Sequence, residues 1–186
     1  FLAITLLFSV SINSQDLAMQ GIGDYNVGNV DGAGGSDGKF IHLVANADIA
    51  DLSTYSMKLY ANANTSSNST FTFEAGTSAS AGDHILVVRD SAAIAQYFST
   101  CMSSFTHLFV DGSGVISQNG DDAIELFKNN TVIDLFGDVN VDGTGQPWEY
   151  KDAWAYRTGS GPNNGVWDVN QWTYGAPDCT DGDTLV

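Results

Sequence analysis

Positive charge is what this chain has least of: six Lys plus Arg stand against 22 Asp plus Glu, a formal charge of −16 over 186 residues. That balance argues against nucleic acid, whose phosphates need cationic partners, and equally against anionic membrane surfaces. Long apolar runs are missing after the first ten residues, so no later segment is long enough to span a bilayer. No helical heptads and no internal repeat are present. Cysteine is confined to Cys101 and Cys179.

The one apolar run, Phe1 to Val10, leads into Ser11-Ile12-Asn13-Ser14-Gln15. This pattern predicts the apolar region and small-residue cleavage zone of a secretory signal peptide over 1–15; the alternative is a buried N-terminal strand. A mature domain is expected over 16–179, with 180–186 beginning a linker or a truncated C-terminal region, and the location is expected to be secreted or cell-surface. In an exported protein an even cysteine pair predicts a Cys101–Cys179 disulfide, a closure that stabilises by about 3–4 kcal/mol. The alternative is two unpaired thiols.

Short apolar-alternating runs separated by turn residues fill the rest. Strands are expected over Asp16 to Val27, Lys39 to Ala45, Ser56 to Ala61, the Phe71/Phe73 region, His84 to Val88 and Phe105 to Val110. Asp90-Ser91 offers an N-cap before one short helix near 90–98. The densest signal is Asn119 to Gly137: Ala123, Ile124, Leu126 and Phe127 form one apolar run and Val132, Ile133, Leu135 and Phe136 a second. Asn129-Asn130 supplies the turn between them, since Asn tolerates positive φ. The pattern predicts an all-β sandwich or barrel.

Three blocks carry a family resemblance: DLSTYSMKLYANA (Asp51 to Ala63), AGDHILVV (Ala81 to Val88) and NGDDAIELFKNNTVIDLFGDV (Asn119 to Val139). In order and spacing the chain resembles the lamin-tail domain family, in its secreted bacterial form, from roughly Asp16 to Asp178, and WDVNQW (Trp167 to Trp172) fits the family's C-terminal strand. The resemblance implies an immunoglobulin-like β-sandwich used for binding or anchoring, without catalytic residues of its own, often beside exported nucleases, phosphatases or adhesion modules. The helix and the aromatic C-terminal stretch depart from the short nuclear-type domain, so no nuclear role carries over.

Among candidate sites, Asp138-Val139-Asn140-Val141-Asp142-Gly143 followed by Glu149 fulfils the calcium-loop pattern. Asp138, Asn140 and Asp142 would give side-chain oxygens, Thr144 a carbonyl and Glu149 two oxygens to a hard cation. A strand rather than a helix enters this loop, and Gly145 and Pro147 interrupt it; the alternative is an acidic surface loop. Calcium is the only cofactor expected. Gly34 to Gly38 matches the nucleophile-elbow pattern around Ser36, but a loop precedes it and a strand follows, the reverse of what the elbow needs. His42, His84 and His107 lack metal-ligand spacing, and Asp121-Asp122 reads either as paired carboxylates for acid–base work or, from its place at a strand entry, as turn stabilisation, the better explanation. Trp148, Tyr150 and Trp154 head an aromatic set with two readings, a stacking platform on the surface or the closing of the sandwich end, and the alternation at 148/150 and 154/156 favours the inward one. The function expected is non-enzymatic binding, adhesion or domain positioning with a protein or carbohydrate at the cell surface. The alternative is an accessory domain of an exported nuclease-type hydrolase.

Overall fold

The computed structural model describes residues 15–26, 37–64 and 69–180. Ten strands form: β1 (Leu17–Tyr25), β2 (Gly38–Ala45), β3 (Tyr55–Tyr60), β4 (Thr70–Thr72), β5 (His84–Val88), β6 (His107–Val110), β7 (Ala123–Lys128), β8 (Thr131–Phe136), β9 (Trp154–Arg157) and β10 (Trp172–Tyr174). One helix of more than two turns, α1 (Ser91–Phe98), lies between β5 and β6. The strands make a six-stranded sheet in the order β10-β9-β1-β2-β5-β6 and a four-stranded sheet in the order β4-β3-β7-β8. The result is a strand-dominated, two-sheet, sandwich-like fold with a single short helix.

Alternation explains the layers. Ile22, Ile41, Leu43, Ile85 and Val87 of the larger sheet meet Met57, Ile124, Leu126 and Ile133 of the smaller one in a single core. Full burial of one such side chain stabilises by about 1.5–3 kcal/mol. The β7–β8 hairpin turns at Asn129 and Asn130, with φ of 48° and 64°, the left-handed pair that a two-residue hairpin loop requires.

The larger sheet also has a covered outer face. Asp90 caps α1, its carboxylate accepting from Ala93 N at 2.8 Å, and the helix packs Ala93 and Ile94 against Phe40, Leu86, Val88 and Tyr25. Gly23 is needed here, because a Cβ would lie 2.0 Å from the Phe40 ring. This β5–α1–β6 crossover makes β5 and β6 parallel, the one parallel pair among the described strands. Sequence alternation alone did not reveal it.

The predicted Cys101–Cys179 disulfide is absent: both cysteines are exposed and no bond joins them. Cys101 rides on the 3-10 segment Ser99–Ser104 after α1, and Cys179 sits in the turn beyond β10, its amide donating to Ala176 O at 3.0 Å. An even count of cysteines sets no distance between them, whereas a bridge demands Cα atoms about 4.4–6.8 Å apart and converging Cβ vectors. The predicted leader over 1–15 falls outside the described residues except for Gln15. Among the described residues no helix is long and apolar enough to cross a membrane.

Candidate functional site

At one end of the two sheets the tail of β1, the start of β2, the approach to β7 and the 138–152 loop come together. They line an open cavity of about 450 Å³ whose walls include Asp24, Lys39, Asn119, Asp121, Thr144, Glu149, Lys151 and Asp152. The loop is docked by its backbone: Gly143 N donates to Asp121 O at 3.0 Å, and Tyr150 N to Gly120 O at 2.7 Å. Gly120 permits this approach. Its φ is +91°, and a Cβ there would lie 2.1 Å from the Lys151 Cα.

Charge in the cavity is partly settled internally. Lys39 and Asp24, both nearly buried, form an ion pair, and the Lys39 ammonium also donates to Gln118 O at 2.5 Å. Gln118, fully buried, clamps Gly23 O and Phe40 O through Nε2 at 3.0 and 3.1 Å. Lys151 reaches Asp178 at 2.8 Å and Asp152 at 3.7 Å. Four acids, Asp24, Asp121, Glu149 and Asp152, against two lysines leave the cavity acidic.

Asp121 and Asp122 do more than close a turn. Asp121 accepts from Thr144 Oγ1 at 2.8 Å, while Asp122 accepts from the amides of Asn119 and Asn62 at 3.1 and 3.3 Å. With its amide nitrogen turned to the acids, as the hydrogen bonding requires, Asn119 bridges both carboxylates at 2.5 and 2.7 Å. Burial, with the neighbouring Asp121 charge, pushes the Asp122 carboxyl up to about 6.

The histidines missed by spacing arguments meet in space. His42 Nε2 lies 2.9 Å from His84 Nδ1, and His42 Nδ1 lies 3.3 Å from the Tyr156 hydroxyl. They stand on the outer face of adjacent strands β2 and β5, a proximity visible only once strand order is known. His107 is elsewhere, beside Asp83 at 3.4 Å. Burial, with His84 adding to it, pushes His42 down to about 4.

These two groups give opposite pH dependences. Folded Asp122 takes its proton at higher pH than the unfolded carboxyl at 3.8, so its contribution to stability rises as pH falls from 7 toward 4. Unfolded His42 protonates near 6.5 and the folded imidazole only near 4, so its contribution is lost over that window. Each changes stability by about 1–2 kcal/mol between pH 7 and 5, in opposing directions. Urea unfolding at both pH values is expected to show His42→Gln gaining stability in acid relative to the parent, and Asp122→Asn losing it. Parallel shifts in the two variants would refute the assignment.

The remaining sequence candidates separate. Asp138, Asp142 and Glu149 each turn back onto their own loop, accepting from Asn140 N, Thr144 N and Gly145 N at 2.9 Å. Strand β8 enters this loop where a calcium loop of this pattern is entered by a helix. Among the described residues no three His, Cys, Asp or Glu side chains gather to hold a metal ion. Ser36 lies outside the described residues. Trp148 and Tyr150, weighed as a binding surface, are 4% and 0% exposed. They pack edge-on against Phe136, so the inward reading describes them and the platform reading does not. Trp154 is half-buried on β9. No family model, curated protein or solved structure matches the chain.

Proposed function

We propose that this chain is a secreted or cell-surface binding module, an immunoglobulin-like sandwich of lamin-tail type, that recognises its partner at the acidic end of the sheets. The observation that carries the reading is a cavity with four acidic walls, Asp24, Asp121, Glu149 and Asp152, against two lysines, Lys39 paired to Asp24 and Lys151 to Asp152 and Asp178. Loops on a rigid two-sheet frame are where binding residues sit. A surplus of acid in a concave site, on a chain of charge −16, draws cationic groups by focused field lines. A basic segment of a partner protein suits this site better than a neutral glycan, whose usual aromatic platform is missing from the walls.

The test uses a hexa-arginine peptide as probe, with binding followed by fluorescence anisotropy at low and high salt. Micromolar binding that weakens with salt is expected for the parent. Asp121→Asn/Glu149→Gln/Asp152→Asn is expected to bind at least about tenfold more weakly, about 1.4 kcal/mol or more, while its melting curve stays cooperative. Equal binding by parent and triple variant would sink the assignment of the site.

A further inference from the structure

Away from the acidic end, the six-stranded sheet stops at β6. Among the described residues β6 pairs only with β5, and β4 is likewise outermost in the smaller sheet. The two edges frame a groove of about 710 Å³ walled by Phe71, Thr72, Leu108, Phe109 and Val110. A strand edge presents a row of unpaired donors and acceptors, and native sheets guard it with charge, proline or a bulge. β6, His-Leu-Phe-Val, carries no proline, Lys or acid. Instead Leu108 and Val110 are 43% and 57% exposed, two of the four large hydrophobic residues so placed among the described residues.

Register defines both faces of this edge. Leu108 pairs with Leu86 and Val110 with Val88, both under α1, so the exposed pair continues the outer apolar layer beyond the helix. His107, Phe109 and Asp111 point to the opposite face, where Phe109 packs against Phe73 with centroids 5.1 Å apart.

We propose that β6 is a self-association edge, on which a second copy lays its own β6 antiparallel about a twofold axis through Phe109. In that register Leu108 faces the partner's Val110 on one side of the joined sheet. On the other side His107 faces the partner's Asp111, an imidazole against a carboxylate. Asp111 is held in place by the amides of Ser113 and Ile116 at 2.7 and 2.8 Å, and His107 has Asp83 beside it at 3.4 Å. The strip is therefore complementary to itself in apolar and polar positions alike, which an arbitrary extended peptide is not. With a strand of four residues the contact falls below the roughly 1,200 Å² of a standard interface, so the dimer is weak and reversible. A charge of −16 on each copy opposes it, so salt strengthens it. That salt dependence is opposite to the one expected for the arginine peptide, and the two readings fail separately.

Sedimentation equilibrium on the full chain, from about 1 μM to about 1 mM at low and high salt, tests the proposal. The expected result is a monomer–dimer equilibrium that salt favours, with slower amide exchange at 107–110 as concentration rises. Val110→Lys is expected to weaken the dimer about tenfold or more, and Val166→Lys, at a residue 68% exposed elsewhere, to leave it unchanged. A chain monomeric at about 1 mM, a dimer indifferent to Val110→Lys, or one equally lost in Val166→Lys overturns the proposal.

Discussion

Arg157→Met is expected to lower the free energy of unfolding by about 3–5 kcal/mol, the cost of stranding a buried carboxylate. Arg157 and Asp134 are both fully shielded from water, with Nη2 2.8 Å from each carboxylate oxygen. Their partners show why the pair exists. β9 covers β1 only across Gly21–Gly23, so Met19 on that side lacks a strand neighbour. Its N–H donates to Asp134 at 2.8 Å and its carbonyl accepts from Arg157 Nε at 2.8 Å. The ion pair thus stands in for missing strand pairing and ties β8 of one sheet to β1 and β9 of the other.

Asp134→Leu combined with Arg157→Met is expected to recover only part of the loss. The unpaired charge is gone, but the Met19 amide and carbonyl remain buried without partners, at about 1–3 kcal/mol each. Urea unfolding of the parent, both single variants and the double variant measures this. A single-variant loss under about 1 kcal/mol, the range of an exposed pair, would show that the pair is not carrying the junction.

Phe136→Ala is expected to cost a similar amount, about 3–5 kcal/mol, by opening a cavity at the centre of the aromatic cluster. Phe136 is fully buried, and Tyr150, Trp167 and Trp172 stand edge-on to its ring at centroid distances of 5.2, 5.0 and 4.9 Å. Each such contact adds about 0.5–1.5 kcal/mol beyond area burial. Tryptophan emission should shift red in the native variant as water reaches the ring stack, while Val166→Ala, at an exposed position, should change neither emission nor midpoint. A Phe136→Ala protein melting within a few degrees of the parent would place the core elsewhere.

Local pattern made several elements legible in advance. Asn129-Asn130 located the hairpin because only a few residues accept two left-handed positions in succession, and Asp90 marked the start of α1 because its carboxylate fills an orphan amide. Asp134 lies between Ile133 and Leu135, and an acid within a run of apolar residues is itself a sign of a buried partner. Arg157, 23 positions away, offered no local cue. The calcium pattern is legible as spacing alone, whereas ligand convergence depends on the flanking elements.

What the linear order of residues determined by itself is strands β1 to β8, the hairpin turn and the acidic excess, since these depend on side-chain alternation, backbone preference and charge count. Only the tertiary structure decided the parallel β5–β6 pair, the meeting of His42 with His84, the unbonded state of the cysteines and the acid-walled cavity. Each of those depends on which strands become neighbours, and that is settled by packing two sheets and a helix around shared cores rather than by any contact along the chain.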